Sequence, residues 1–176
     1  MKQSYTASLV YTAMMAAVIA VCALISIPLP GLVPISLATF AVMMSGLLLG
    51  WKWGVIAVAV YILLGVVGVP VFAGGKSGIE ALAGPTGGYI VGYLPYAVLA
   101  GLPVKNLQSK YWGRIVLLLA GTIVCYALGT AWFMHATASG LAVSLGKCVL
   151  PFLPGDAAKI LLSAALAPAL RKAIKI

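Results

Sequence analysis

Long apolar runs dominate this sequence and constrain its fold more than any other feature. A helix that crosses a bilayer needs about 20 mainly apolar residues, or fewer where it extends into its flanks. Hydrophobic residues make up 64% of the chain, whereas soluble domains contain about 45–50%. We therefore predict an all-α integral membrane protein with one polytopic domain over residues 1–176. The predicted transmembrane helices are residues 9–27, 35–50, 55–69, 88–102, 115–133 and 149–170.

The basic residues predict the orientation of the chain, because cytoplasmic segments of membrane proteins are enriched in Lys and Arg. If six spans begin with the amino terminus inside, the outer side carries Lys76 and Lys147. The cytoplasmic side then carries Lys2, Lys52, Lys105, Lys110, Arg114, Arg171, Lys172 and Lys175. We therefore expect both termini to be cytoplasmic. The same bias accounts for most of the net charge of +9, so we expect a lipid bilayer around the chain and no nucleic acid partner.

Several features that could indicate catalysis or cofactor binding lack the required spacing. The stretch GGKS at residues 74–77 resembles part of a phosphate-binding loop, but Pro70 stands where that motif begins with glycine. His135 follows an apolar run, where a loop or interfacial role is expected. We predict no catalytic residue, no metal site and no resident cofactor. The cysteines are scattered and are expected to be packing residues: Cys22, Cys125 and Cys148.

Asp156 and Lys159 lie at the start of the last apolar run, in the stretch PFLPGDAAKI. At a spacing of three they share one face of a helix. Each costs about 2.5–3.5 kcal/mol near the centre of a membrane if it faces lipid. We therefore expect both side chains to point inward. Two roles remain open at this point: an ion pair that locks the last helix into the bundle, or a ligand site that opens to the outside.

Two predicted outer loops are candidates for the rest of a binding site. Residues 68–93 are rich in glycine, which lets backbone approach a small molecule, and they lead into a helix amino terminus that could receive an anion. Phe72 and Tyr89 in this segment are more than a simple connector requires. Residues 28–40 are uncharged and stiffened by proline, which favours a lid over a partly apolar pocket.

Four separated motifs, in this order, resemble the BioY family: GLVPISLATFAVMMSGLLLG, GVPVFAGG, GPTGGYIVGY and FLPGDAAK. Members of this family are the biotin-specific S components of energy-coupling factor (ECF) transporters. The resemblance implies an S-component fold of six transmembrane helices, with the ligand bound near the outer surface beneath the loop between the first two helices. It also implies a multi-pass protein of a prokaryotic cell membrane that is not an enzyme.

The resemblance assigns ligand roles to individual residues. Asp156 and Lys159 become binding residues, since an ionised carboxylate and an ammonium can satisfy the donors and the acceptor of biotin's ureido ring. The bicycle would pack on Phe40, Phe72 and Tyr89. Candidate donors for the valerate carboxylate are Lys76, Thr86 and the amides at Gly87 and Gly88.

The first apolar run contains overlapping pairs of alanines spaced by four, which allow close helix approach: Ala13, Ala16, Ala17 and Ala20. Similarity to S components implies that this alanine face contacts a membrane-embedded coupling (T) subunit. Since no ATP site is predicted here, two separate ATPase subunits would supply the energy. The chain would bind biotin outside and topple within the membrane to release it inside.

Two other classes of function are weighed against this one. An ion- or proton-coupled secondary transporter of a small metabolite could use Asp156 as its relay, but the sequence offers one embedded acid and no evident inverted repeat. A membrane enzyme could pair His135 with Asp156, but no second carboxylate, metal cluster or nucleophile motif accompanies them.

Overall fold

The computed structural model describes residues 5–28 and 33–174. The helices are α1 Tyr5–Leu24, α2 Ala38–Val66, α3 Ile79–Ala83, α4 Gly87–Gly101, α5 Lys105–Gln108, α6 Tyr111–Thr137, α7 Leu141–Cys148 and α8 Leu153–Ile174. Two short strands, β1 Ser26–Ile27 and β2 Ile35–Ser36, and a 3-10 turn at Ala73–Gly75 complete the elements. The prediction of an all-helical architecture is confirmed.

Four helices of the described ranges are long and apolar enough to cross a membrane, namely α1, α2, α6 and α8. Their apolar residues do not form a single inward stripe, and many large ones are exposed on the outer surface of the bundle. Ile123 of α6 is 67% exposed and Leu63 of α2 is 61% exposed. Such a helix, apolar on all sides, is typical of a segment surrounded by lipid.

The long helix α2 reverses direction at Gly50, whose backbone has φ 76° and ψ 174°. A positive φ of this size suits glycine, which has no Cβ to clash with the following carbonyl. A Cβ added at Gly54 would lie 2.9 Å from the Cα of Gly46, although eight residues of straight helix span about 12 Å. The chain therefore folds back on itself, and α2 consists of two packed arms. The break predicted from the sequence lies a few residues later, between residues 50 and 55.

Helix α4 lies in the interior, between α2 on one side and α6 on the other. Its residue Tyr96 is 1% exposed, and Tyr61 of the second arm of α2 is equally buried. Helix α1 packs on α2, and α8 packs on both α2 and α6. The start of α8 thereby comes to lie against the start of α2 and the middle of α6.

Strands β1 and β2 pair in antiparallel fashion, with Ser26 opposite Ser36 and Ile27 opposite Ile35. They close the connection between α1 and α2 over one end of the bundle. The predicted lid, residues 28–40, falls partly on residues 29–32, which lie outside the described residues. Its described part places Val33 and Ser36 in buried positions.

Candidate ligand-binding site

The two charged residues of the last apolar run point inward, as predicted. Asp156 is 4% exposed and Lys159 is 9% exposed. Both belong to the first turns of α8, and the ammonium of Lys159 lies 2.9 Å from Oδ1 of Asp156. The two side chains therefore form a buried ion pair. Whether they can also contact a ligand depends on the cavity beside them.

The ammonium of Lys159 has a hydrogen-bond acceptor for each of its three protons. Besides Asp156, it donates to the backbone carbonyl of Ser36 at 2.7 Å and to the hydroxyl of Thr39 at 3.0 Å. These acceptors follow the β1–β2 connection, more than a hundred residues away in sequence. Lys159 therefore ties α8 to the beginning of α2, and it has no proton left over for a new acceptor.

The carboxylate of Asp156 is bonded less completely. Its Oδ1 accepts from Lys159 and, at 3.4 Å, from the hydroxyl of Thr39. Its Oδ2 accepts from the hydroxyl of Tyr126 on α6 at 2.6 Å. A carboxylate offers about four acceptor positions, so Asp156 keeps capacity for a further donor.

Asp156 and Lys159 line a cavity with about 420 Å³ of atom-free space, including its opening. We call this the Asp156 lobe. Aromatic side chains from α4, α6 and the turn before α8 form much of the wall, which apart from the ion pair and a few hydroxyls is otherwise apolar. The lining residues are Val33, Pro34, Ser36, Thr39, Tyr89, Tyr93, Tyr96, Thr122, Cys125, Tyr126, Phe152, Asp156 and Lys159.

A second cavity of about 390 Å³ adjoins the first, and we call it the Lys76 lobe. Both lobes are lined by Val33, Pro34, Ser36, Tyr89 and Tyr93. The second lobe adds Ala38, Phe72, Ala73, Lys76, Thr86 and Ile90. The two lobes thus form one elongated site, with the buried ion pair at one end and a single lysine at the other.

A tight turn places Lys76 at the mouth of the site. Gly74 and Gly75 have φ values of 75° and 72°, which glycine adopts without strain. The Phe72 amide closes the turn by donating to the carbonyl of Lys76 at 3.0 Å. The Gly74 amide donates to the hydroxyl of Ser26 at 3.1 Å, which connects the turn to β1. The side chain of Lys76 remains exposed, so its ammonium is available to an anion.

The structure assigns a different role to the glycines predicted to receive an anion. The Gly87 amide donates to the carbonyl of Gly84 at 3.0 Å, so it is not a free donor. A Cβ at Gly87 would collide with the carbonyl of Leu82, and one at Gly88 with the side chain of Trp132. These glycines serve close packing of α4 against α3 and α6. The ligand role of their amides stays a prediction, and the Gly87 amide could take it only by giving up its bond to Gly84.

Two other predicted ligand residues are placed less favourably than expected. Thr86 lines the Lys76 lobe, but its hydroxyl donates to the carbonyl of Ala81 at 3.3 Å. Phe40 is half-buried on α2 and lines neither lobe. The packing surface expected from Phe40 is provided instead by tyrosines that the sequence did not single out.

Sequence reasoning missed Tyr93, Tyr96 and Tyr126. Tyrosines within apolar runs resemble ordinary packing residues, and only the arrangement of α4 beside α6 brings their rings to one cavity. Their polar ends were the available signal, since a tyrosine hydroxyl in a membrane interior needs a partner. Tyr96 donates to Thr122 at 2.7 Å, with the Thr122 hydroxyl in turn donating to a backbone carbonyl.

The alanines of α1 do not form one outward face. Ala16 is 2% exposed and Ala20 packs against the core, whereas Ala13 and Ala17 are exposed. Ala16 and the half-buried Ala20 thus take part in packing within the chain, and the partner interface itself stays a prediction. Ala13 and Ala17 remain candidates for contact with a partner.

His135, considered above as a catalytic partner of Asp156, is exposed near the end of α6 and lines neither lobe. The geometry therefore gives no support to a pairing of these two residues. The site is instead shaped to hold a small, partly apolar molecule with polar groups at both ends.

The BioY family model matches residues 1–176 of this chain. The biotin transporter BioY of Thermotoga maritima is 40% identical over 159 residues, which cover 89% of this chain and 90% of that protein. A biotin transporter BioY of Lactococcus lactis is 35% identical over 176 residues, with 94% and 90% covered. The chain belongs to the BioY family.

A solved structure shares the architecture of this BioY family member. It is the crystal structure of the S-component for biotin from an ECF-type ABC transporter, with a TM-score of 0.86 and 34% identity over 94% of this chain and 90% of that chain. The resemblance drawn from the four BioY motifs is thus confirmed. Residues of these motifs line the lobes: Val33, Pro34, Ser36, Ala38, Thr39, Phe72, Ala73, Thr86, Tyr89, Ile90, Tyr93, Phe152, Asp156 and Lys159.

Proposed function

We propose that this chain is the biotin-binding S component of an ECF-type transporter, a non-enzymatic subunit that captures biotin outside the cell and delivers it inward. The observation that carries this proposal is the elongated site between Asp156 and Lys76, within a fold that matches a biotin S component. Biotin has the corresponding shape: a polar ureido ring, an apolar bicycle and a carboxylate on a flexible chain.

The ureido ring is expected at the Asp156 end. Its two N–H groups are donors, and Asp156 retains acceptor capacity beyond its bonds to Lys159, Thr39 and Tyr126. A biotin carboxylate placed there would meet the charge of Asp156 with no free ammonium proton to offset it. The bicycle then packs on Tyr93 and its neighbours, where the two lobes meet.

The valerate carboxylate is expected at Lys76. This side chain is exposed at the mouth of the Lys76 lobe, and an adjoining outer cavity also contains Thr86 and Glu80. No ion pair within 4 Å involves Lys76 in the described ranges. A bound carboxylate would give this lysine a partner close to the outer surface, where the cost of removing both charges from water is small.

We propose six spans, with both termini in the cytoplasm of a prokaryotic cell. The two arms of α2 and the 15-residue helix α4 would account for the spans beyond α1, α6 and α8. Helix α4 is short for a transmembrane span, but it lies between α2 and α6, and these neighbours shield it from lipid. This arrangement places Lys76 outside and Arg114 and Arg171 inside, in agreement with the excess of basic residues expected in cytoplasmic segments.

The proposed partners are a membrane-embedded coupling (T) subunit and two ATPase subunits, with ATP hydrolysed by the latter. Ala13 and Ala17 on the exposed side of α1 allow a helix of the coupling subunit to approach closely. Toppling of the chain on that subunit would carry the occupied site across the membrane.

Reconstitution into vesicles tests this proposal. Biotin uptake should require the coupling subunit, the ATPases and ATP, whereas biotin binding should require this chain alone. ATP-independent uptake that is driven by an ion gradient would instead support the secondary-transporter alternative.

A further inference from the structure

Another cavity lies at the opposite end of the bundle from Lys76, between α2, α5, α6 and α8. It has about 440 Å³ of atom-free space, and its polar lining includes Gln108, Arg114 and Arg171. None of these residues lines either lobe of the biotin site. The cavity is therefore a separate site that the proposed transport function does not use.

Two guanidinium groups line this cavity, and within residues 5–28 and 33–174 neither is paired with a carboxylate. The chain has two acidic residues, Asp156 and Glu80. Asp156 is already paired with Lys159. Asp156 also lies about 22 Å from Arg171 along α8, at 1.5 Å per residue. Glu80 lies in α3 and lines the outer cavity beside Lys76. The described residues thus supply no carboxylate to this site, and an anion from outside them would balance its charge.

The hydrogen bonds of the site leave donors unused within the described ranges. Arg114 donates from Nε to the carbonyl of Ala164 at 2.9 Å and from Nη1 to that of Gln108 at 3.0 Å, which fixes its position. Arg171 makes one long contact, from Nη2 to Oε1 of Gln108 at 3.5 Å. The Nε2 of Gln108 is buried and has no partner among the described residues.

The surroundings of this cavity match the depth of lipid headgroups. Trp112, at the start of α6, is 74% exposed, and Tyr111 beside it is 37% exposed. Tryptophan and tyrosine are enriched where a membrane meets water. Lys110 is exposed in the turn that precedes α6, so the surface around the cavity is basic. Basic pockets between transmembrane helices on the cytoplasmic side suit anionic headgroups.

We propose that this cavity binds a phosphate group with an uncompensated negative charge, presented by the headgroup of an anionic phospholipid. Arg171 donates to the phosphate with its planar fork, Arg114 contributes its free Nη2 face, and Gln108 supplies an amide donor after a small rotation. The lipid thereby joins α5 and α6 to the end of α8. An inorganic phosphate ion offers the same chemistry, and the experiment below distinguishes the two sources.

The test is a titration of thermal stability with the full chain in a neutral detergent. The probes are phosphatidylglycerol, phosphatidylcholine and inorganic phosphate. Phosphatidylglycerol should raise the melting temperature, and phosphatidylcholine should raise it far less. Arg171→Gln should weaken the apparent affinity for phosphatidylglycerol about tenfold or more, the loss expected for a charge-assisted hydrogen bond. The matched control Lys172→Gln removes the same charge from an exposed neighbour and should titrate like the wild type.

A second variant keeps the test informative if Arg171→Gln folds poorly. Gln108→Met removes a buried donor that has no partner in the described ranges and an acceptor that makes only the 3.5 Å contact with Arg171, so the stability without lipid should change little. Its response to phosphatidylglycerol should nevertheless be reduced.

A lipid source is indicated if phosphatidylglycerol acts at concentrations where inorganic phosphate does not. A free ion is indicated if inorganic phosphate stabilises equally and competes. The proposal is overturned if Arg171→Gln titrates like the wild type, if Lys172→Gln loses as much, or if phosphatidylcholine stabilises as well as phosphatidylglycerol.

Discussion

Replacing Lys159 with methionine should unfold part of the chain, and replacing its partner at the same time should restore folding without restoring biotin binding. Methionine keeps most of the apolar stem of lysine but removes three donated hydrogen bonds, to Ser36, Thr39 and Asp156. The single variant also leaves the buried carboxylate of Asp156 without its counter-ion.

The magnitude follows from the burial of the pair. Asp156 is 4% exposed, so the full cost of an unpaired buried charge applies, about 3–5 kcal/mol of unfolding free energy. In the double variant Asp156→Asn with Lys159→Met no unpaired charge remains, and Tyr126 can still donate to the amide oxygen. Stability should therefore return to within about 1 kcal/mol of the wild type, since replacing both partners is often nearly neutral. Biotin should nevertheless bind about tenfold more weakly or worse, because the charged acceptor is lost.

The assay combines thermal unfolding in detergent with calorimetric titration of biotin. Lys147→Met is the matched control, because Lys147 is exposed on α7 and lines neither lobe. A single Lys159→Met variant as stable as the wild type would refute the energetic argument. A double variant that folds and binds biotin with wild-type affinity would show that the pair is purely structural.

Three further predictions concern other parts of the molecule. Tyr126→Phe should weaken biotin binding about tenfold, because it removes a 2.6 Å hydrogen bond to the buried carboxylate of Asp156. The control Tyr111→Phe loses only a 3.5 Å contact and should leave the calorimetric affinity for biotin unchanged. Equal affinities for both variants would contradict this prediction. Ala17→Trp should abolish vesicle uptake but preserve biotin binding, whereas Ala16→Trp should reduce the yield of folded protein; loss of binding in the first variant would place that residue in the packed interior. Lys76→Gln should weaken binding of biotin more than binding of biotinamide, which lacks the carboxylate, and equal losses would contradict the proposed orientation.

The buried ion pair could be predicted from sequence because charged residues are rare within apolar runs. Asp156 and Lys159 had to face inward to avoid lipid, and their spacing placed them on one helix face. The sequence could not show that Lys159 also holds Ser36 and Thr39, since those contacts depend on how α8 packs against the start of α2. The geometry supports a structural role for both residues and leaves free capacity for a ligand on Asp156, because each proton of Lys159 already has an acceptor.

The tyrosines of the cavity and the glycines of α4 illustrate what the sequence leaves undetermined. Tyr93 and Tyr126 lie in apolar runs where a packing role and a cavity-lining role produce the same pattern. Gly87 and Gly88 precede a helix amino terminus, where glycine serves either close approach of a ligand or close approach of another helix. The deciding neighbour of Gly88 is Trp132, more than 40 residues away in the chain, whereas Gly87 meets the carbonyl of Leu82 in the preceding helix α3.

The central claim is tested most directly by equilibrium binding of radiolabelled biotin to the purified chain in detergent, without ATP, an ion gradient or any other subunit. The account predicts saturable binding at one biotin per chain, displaced by unlabelled biotin and not by vitamins that lack a ureido ring. Binding that does not saturate, or that appears only when coupling and ATPase subunits are added, would contradict it.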